Sequence, residues 1–399
     1  MPRPAGRRYA PGVLRVALTH MRHAATGGTE RYLNQLAASL AERGHEVTIV
    51  CRSRALPPHP AVRFEVLRPF SLGGAWRVSS FAQAVERHVR ERSYDVVYGL
   101  GRTWSQDLIR LGGGLQATYL ELAHQDTLGT WERRLSLGMG KHRTILEIEA
   151  RALAPGAAWR VVCNSQRVKR DVVLRYGRDP GEIEVIYNGV DVERFHPRRR
   201  QEGGLRVRAE AGFGREHTLV LFLGTGYGRK GLAEVLEAFP ALLRHRPAAR
   251  LVVVGYDSDG KRHAARAEAL GISAEVRFLG GRQDPEDCFA AADVYVLPTR
   301  YDPFANSTLE ALATGLPTIT TEDNGAAELI QDSVQGTVLP RQRDGTSLER
   351  ALIHWTEPEA LRAGALAARE LALEHTHVKA MEQSRDLVER CARSKRARS

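Results

Sequence analysis

Short runs of β-branched and aliphatic residues recur along the whole chain, each followed by a turn and then an amphipathic stretch. This rhythm constrains the fold more than any other feature. In the first half the runs cover residues 13–19, 46–51, 62–67, 94–98, 159–163 and 183–187; in the second they cover 219–223, 251–254, 276–279, 294–297 and 318–320. Continuous apolar strands alternating with helical segments are what a parallel sheet covered on both faces requires. The chain is therefore read as α/β. The two series are separated by residues 191–204, where the arginines at 198–200, Glu202 and two glycines read as an exposed linker. The expected organisation is an N-terminal domain over 1–190, a linker over 191–204, a second domain over 205–375 and a C-terminal helix over 376–399. That helix is expected to pack back on the first domain and to end in a frayed tail, SKRARS. A length of 399 residues fits two domains of ordinary size. Residues 99–156, with a glycine cluster at 112–114 and a helical stretch around 131–153, interrupt the alternation and are expected to build something other than sheet.

Composition excludes several classes. With 43% hydrophobic and 26% charged residues the chain is globular rather than disordered. No run approaches the ~20 apolar residues that would cross a bilayer. The apolar stretch after Gly12 is broken by Arg15 and His20, so no secretory core is read there and a cytoplasmic location is expected. The four cysteines (Cys51, Cys163, Cys288 and Cys391) form no Cys-x-x-Cys pair, which argues against a zinc site and for reduced thiols. A net charge of +11 favours anionic partners such as phosphorylated small molecules or an anionic lipid surface, or else reflects a solvated basic surface. No compact basic-aromatic block is present, so nucleic acid is not expected as a partner.

In doubly wound sheets, ligands bind beyond the carboxyl ends of the strands. After the first run, Gly27 and Gly28 stand just before a helix with Thr29 and Glu30 in its first turn. They either let backbone amides converge on a phosphate or form a plain turn. No G-x-G-x-x-G follows, which counts against a dinucleotide dehydrogenase. After the run at 219–223 and Gly224 comes TGYGRKG, where Arg229 and Lys230 either grip a pyrophosphate or face solvent. After the run at 294–297 comes YDPFANSTLEALATGLP, with Asp302 on the loop and Glu310 in an acid-x7-Glu spacing on the following helix. One acid can hold sugar hydroxyls and the other a ribose; Ser307 or Thr308 with Glu310 can equally form a capping box.

In this order and spacing, GRKG after a strand, the Asp302 to Glu310 spacing, LEALATGLPTIT and the early glycine pair resemble family 4 retaining glycosyltransferases of the GT-B fold. The resemblance runs through nearly the whole chain. FLGTGYGRKG, GGRQDPEDCFAAADVYVLP, KHRTILEIEARAL and VVCNSQRVKRDVVLRYG are most similar to the lipopolysaccharide core glucosyltransferase I type. It implies two Rossmann-like doubly wound domains facing each other across a cleft, and retaining transfer of a hexose, glucose from UDP-glucose, without a cofactor or required metal. The implied acceptor is a lipopolysaccharide-core or lipid-linked sugar. Alternatives are another family 4 transferase, for capsule, exopolysaccharide or a soluble glycoconjugate, and a non-catalytic sugar-nucleotide-binding protein.

Carried onto this chain, the resemblance makes Arg229 and Lys230 the pair that neutralises the diphosphate, with Gly224 at the strand end before them. Glu310 would bind the ribose and Asp302 the donor-sugar hydroxyls. The backbone of Phe304, Ala305, Asn306, Ser307, Thr308 and Leu309 would cradle sugar and phosphate, Gly27 and Gly28 would approach the phosphate from the other domain, and Arg282 would lie near the base. Asp107 and His124 match regions that meet the acceptor or reacting centre, or else are surface or capping residues. The first acid of the motif is usually Glu; here it is Asp302, one methylene shorter, which loosens the link to donor identity. Arg133, Arg134, Lys141, His142 and Arg143 could rest on the anionic inner leaflet, making the protein peripheral to the cytoplasmic membrane.

Overall fold

The computed structural model describes residues 12–24, 27–55, 57–122, 140–258, 260–341 and 345–398. Two all-parallel sheets form, one from each half of the chain. The first contains β1 (Arg15–Thr19), β2 (Glu46–Cys51), β3 (Arg63–Val66), β4 (Val96–Gly99), β5 (Leu108–Leu111), β6 (Arg160–Cys163) and β7 (Ile183–Val185), in the order β3-β2-β1-β4-β5-β6-β7. The second contains β8 (Thr218–Leu223), β9 (Ala249–Val254), β10 (Val276–Gly280), β11 (Val294–Leu297), β12 (Thr318–Thr321) and β13 (Gly336–Leu339), in the order β10-β9-β8-β11-β12-β13. In both, the order reverses beside the first strand, opening a crevice at the carboxyl edge.

The central strands are apolar on both faces because helices cover both. Leu219, Val220, Leu221 and Phe222 of β8 and all four residues of β11 are buried. Phe239 and Leu236 from the helix Leu232–His245 pack in the same core as Phe289, Leu312 and Trp355.

Two strands lie outside the runs read from sequence. β5 crosses the segment expected to be non-sheet, and β13 follows the last run. Both are four residues long, and β5 carries Arg110 among its apolar neighbours, so neither gives a continuous apolar signal.

The segment 191–204 lies at the surface, as expected, but it is ordered and packed rather than a loose linker. Residues Pro197–Gln201 form a 3-10 turn, and the helix Gly203–Ala211 lies against the helix Pro285–Ala291. Gly204 is a close-packing residue: a Cβ there would sit 2.6 Å from the Ala290 carbonyl oxygen. The arginines are anchored too, Arg199 on Asp287 (2.7 Å) and Arg200 on Asp293, which also accepts from Arg208 (2.7 Å) and the Leu219 amide (2.7 Å).

The chain returns to the first domain at its end. The Val190 amide bonds the His375 carbonyl (3.0 Å), the His377 amide bonds the Val190 carbonyl (3.0 Å), and the helix His377–Arg396 buries Met381, Leu387, Val388 and Cys391 beside Val16, Leu36 and Tyr98. Burial of Met, Leu and Val side chains stabilises by ~1.5–3 kcal/mol each, so this helix is an integral part of the first domain. It continues through Arg396, into the tail expected to fray.

Gly231 ties the turn after β8 to the loop after β11. Its φ is +84°, and a Cβ there would stand 2.2 Å from the Pro298 carbonyl oxygen. Gly231→Ala is expected to lower the thermal midpoint, since the left-handed conformation alone costs a non-glycine residue roughly 1–2 kcal/mol before the clash is added. An unchanged midpoint in a calorimetric scan would show that the loop after β11 is not held this way.

Candidate active site

Lys230 and Asp302 meet although they lie far apart in sequence. The helical turn Tyr227–Lys230 is bracketed by Gly226 and Gly231, both at positive φ, and its last residues lie over the loop that follows β11. The Arg300 amide donates to the Arg229 carbonyl (2.8 Å), and the Thr299 hydroxyl donates to the same oxygen (3.1 Å). The Lys230 Nζ bonds Asp302 Oδ2, and Arg229 Nη1 reaches the same oxygen at 3.4 Å and the Tyr301 carbonyl at 2.6 Å. Lys230 is 7% exposed and Asp302 9%. Gly224, at the end of β8, lies beneath the Lys230 stem, whose Cγ would be 3.4 Å from a Cβ there.

Burial works against ionisation of Asp302, but Lys230, Arg229 and the Phe304 amide outweigh it and hold the carboxyl below the usual range. Burial, helped by Arg229, pulls the Lys230 ammonium down while Asp302 supports it. The result is a compact charge cluster at the carboxyl edge of the second sheet, with two cations where an anionic leaving group needs them.

The loop after Asp302 is fixed by Asn324. Its Oδ1 accepts from the Ala305 amide (3.0 Å), and its Nδ2 donates to Thr308 Oγ1 (2.8 Å) and Thr320 Oγ1 (3.1 Å). Three of the amides expected to cradle ligand are engaged, Phe304 with Asp302 Oδ1 (3.1 Å), Ala305 with Asn324, and Thr308 within its own turn. The Thr308 amide bonds the Ala305 carbonyl (3.0 Å), and the Leu309 side chain is in the core. What faces the cleft is the start of the helix Asn306–Ala313, where first-turn amides have no partner within the helix. The capping box does not form: the cap position is Ala305, without a side-chain bond, and Glu310 lies beyond the first turn.

Glu310 faces the first domain. Its Oε1 is 3.1 Å from Arg31 Nη1, on the helix Gly28–Glu42. Burial pushes the Glu310 carboxyl up, and Arg31 works in the other direction. Gly27, at φ +114°, precedes that helix, and a Cβ on Gly28 would lie 3.4 Å from Asn306 Nδ2. Asn188 Nδ2 donates to Asn306 Oδ1 at 2.7 Å. The glycine turn, Asn306 and Glu310 thus stand together across the interdomain seam. Nearby, Arg167 Nη1 bonds Asp323 Oδ1 (2.6 Å), and Glu328 accepts from the Gln166 and Arg167 amides (2.7 Å each), placing a carboxylate from one domain on a helix N-terminus of the other.

Other residues are elsewhere. Asp107 is not at the reacting centre: it immediately precedes β5, at the amino edge of the first sheet, where its Oδ2 accepts from the Val97 amide (2.8 Å) and Lys395 (2.9 Å). A connection between parallel strands must return to the opposite edge, and Asp107 is where that return ends. Arg282 is taken up by Asp284 (2.9 and 2.8 Å) and Glu210 (2.5 Å) rather than offered to a base. His124, Arg133 and Arg134 lie outside the described residues. Lys141 and His142 line a cavity of the first domain, and Arg143 pairs with Glu147 (3.0 Å). Sequence reasoning missed Arg31, for which the available signal was a cation in the first turn after the glycine pair.

Two doubly wound domains, with a cationic pair and two carboxylates gathered where their carboxyl edges meet, define a nucleotide-sugar-dependent glycosyltransferase of the GT-B fold. Residues 26–194 match the model of Glycosyltransferase Family 4, and residues 206–366 match that of Glycosyl transferases group 1. The chain belongs to family 4 of the glycosyltransferases. It is 27% identical over 316 residues to the lipopolysaccharide glucosyltransferase WaaG of Escherichia coli (78% of this chain, 82% of that one). It is 28% identical over 340 residues to the D-inositol 3-phosphate glycosyltransferase of Mycobacterium bovis (78% and 68%). The crystal structure of WaaG superposes with a TM-score of 0.78 at 24% identity, covering 94% of this chain and 99% of that one. Anabaena HepE in complex with UDP-glucose gives 0.69 at 18% identity, covering 94% and 99%.

Lys230→Ala is expected to keep the circular dichroism spectrum while reducing sugar transfer by roughly 10²–10³, the effect of deleting one group that stabilises developing charge. Asp302→Asn is expected to destabilise by about 3 kcal/mol at pH 7, because buried Lys230 and its partly buried neighbour Arg229 lose their counter-ion. A depressed carboxyl pKa gives stability that is fully present above the ordinary value of about 3.9 and lost as pH falls through the folded value. The difference in thermal midpoint between the two proteins should therefore be constant from pH 7 to 5 and close below pH ~4; a gap that widens on acidification would contradict the ion pair.

Proposed function

We propose that the protein transfers a hexose, glucose from UDP-glucose, with retention of configuration onto a lipopolysaccharide-core or lipid-linked sugar. The observation that carries this reading is the Lys230, Arg229 and Asp302 cluster at the carboxyl edge of the second sheet, followed by a helix whose Asn306 meets the glycine turn of the opposite domain. Without donor, Asp302 serves as counter-ion to the two cations. A diphosphate between the domains takes over that role and releases Asp302 to accept hydrogen bonds from sugar hydroxyls. Glu310, turned from Arg31, then accepts from the nucleotide ribose.

As the bond between the anomeric carbon and the β-phosphate oxygen breaks, negative charge gathers on that oxygen. Arg229, Lys230 and the amides at the start of the helix Asn306–Ala313 stabilise it where it develops. The acceptor hydroxyl attacks the same face, forms the new glycosidic bond and gives its proton to the leaving phosphate, and UDP departs. Two fixed cations supply the charge neutralisation that a divalent ion supplies in other phosphate chemistry, so no metal is required. The glucose donor is supported by the name of WaaG and by the UDP-glucose held by HepE. The acceptors named for the relatives range from lipopolysaccharide to an inositol phosphate, so lipopolysaccharide is supported by WaaG alone and another family 4 acceptor is the second reading. The presence of both cations and both carboxylates favours an enzyme over a non-catalytic binder.

An anionic membrane surface is the proposed further partner. No helix among the described residues is long and apolar enough to cross a membrane. Phe70 (71% exposed), Leu72 (68%) and Trp76 (46%) project together, with the Phe70 and Trp76 rings 5.5 Å apart. Arg68, Arg77 and Arg143 are exposed on the same domain. Apolar tips with flanking cations suit the headgroup level of anionic lipid.

A panel of nucleotide sugars is expected to single out UDP-glucose by slow hydrolysis and by a rise in thermal midpoint, both unaffected by EDTA; loss of hydrolysis in EDTA, or selection of a guanosine donor, would overturn this assignment. In sedimentation with phosphatidylglycerol vesicles, changing both Phe70 and Trp76 to Ser is expected to reduce the bound fraction, and unchanged binding would remove the membrane from the list of partners.

A further inference from the structure

Among the described residues, Arg110 is a buried cation without a carboxylate partner. It occupies the third position of β5 and is 2% exposed. Its guanidinium stacks on Tyr32 (3.8 Å to the ring centroid), and Nη2 donates to the Ile186 carbonyl (3.3 Å) and to Asn188 Oδ1 (2.7 Å), both neutral acceptors. Nη1 is buried with no hydrogen-bond partner among the described residues, and the bonds the side chain makes there go to neutral groups. A buried charge left in this state is costly unless something else neutralises it.

The cavity it borders indicates what that something is. A space of about 710 Å³ in the first domain is lined by Arg110, Arg102, Arg22 and Lys141. Arg102 is held at φ +59°, a conformation that a non-glycine residue adopts only when its surroundings enforce it. Among the described residues, Arg102 and Lys141 make no hydrogen bond or ion pair. Two acids share the wall. Glu149 is committed to the Gln116 and Ala117 amides (2.6 and 3.3 Å) and the Tyr176 hydroxyl (2.7 Å), and Glu30 faces Arg22 at 3.8 Å. The unspent charge in this cavity is therefore positive. The glycines at 112–114 form its border with the catalytic loop, where a Cβ on Gly114 would meet the Tyr301 hydroxyl at 2.3 Å.

We propose that this cavity takes an acceptor sugar carrying a compact oxyanion, a phosphate or carboxylate, with Arg110 at its base and Arg102 and Lys141 at its mouth. The inference rests on the transferase reading above and specifies its acceptor. The donor diphosphate is not the anion concerned, because Arg229 and Lys230 of the other domain already serve it.

The test uses the full chain saturated with UDP, so that the donor site is filled, and compares glucose 6-phosphate with glucose by calorimetric titration. Glucose 6-phosphate is expected to bind at least about tenfold more tightly than glucose. Changing both Arg102 and Lys141 to Gln is expected to remove most of that preference while leaving the UDP dissociation constant unchanged. Arg110→Lys, which keeps the charge but loses the planar fork, should reduce it in part. Equal affinity for the two sugars, a preference undiminished in the Arg102 and Lys141 variant, or phosphate binding that UDP abolishes would each overturn the proposal. UDP binding and UDP-glucose hydrolysis, measured on the same samples, report separately on the transferase reading.

Discussion

Much of the catalytic domain is arranged around one carboxylate that two cations share below the protein surface. Asp302 can remain ionised while 9% exposed only because Lys230 and Arg229 stand on one side and the Phe304 amide on the other. Holding them there requires the tight turn at Gly231, the Arg300 and Thr299 bonds to the Arg229 carbonyl, and the Asn324 network that fixes the loop after Asp302. Each of these ties a segment after one strand to a segment after its neighbour. The parallel sheet makes that possible, since all carboxyl ends lie on one edge. The fold's own contacts hold these charges together, and an arrangement that needs no reorganisation during reaction is the kind that lowers a barrier.

The two domains are coupled through the same chemistry. Arg31 on Glu310, Arg167 on Asp323, and Glu328 on the N-terminus of the helix Gln166–Tyr176 are charge-assisted contacts between halves that have separate cores. Contacts of this type are strong when dry and exchangeable when a charged ligand enters, so they suit a cleft that must admit a nucleotide sugar. The C-terminal helix fastens the chain end to the first domain with apolar packing, which does not exchange in this way.

Much of this was legible in the sequence because it is local. Arg229 and Lys230 follow a buried strand and precede a helix, and Asp302 and Glu310 bracket a strand-loop-helix unit, so their positions at the sheet edge follow from order alone. The misplacements have a common origin. Asp107 follows β4 in sequence, but the short connection has already crossed to the amino edge by that residue. Glycines at 203 and 204 read as part of a linker, whereas they permit two helices to touch. β5 was hidden by Arg110, a charge no apolar pattern accommodates, and that charge is the one feature of the strand that points to a ligand.

Sequence by itself determined the alternation of strand and helix, the number of cores, and which side chains stand at the carboxyl edge of the second sheet, because 2.0- and 3.6-residue periodicities and strand-turn-helix order are properties of neighbouring residues. Only tertiary structure decided that Glu310 faces Arg31 and that Arg110 is sealed without a counter-ion among the described residues. Those relations join residues tens to hundreds of positions apart, and they are fixed by how the two cores pack and where their edges meet, which no local spacing encodes.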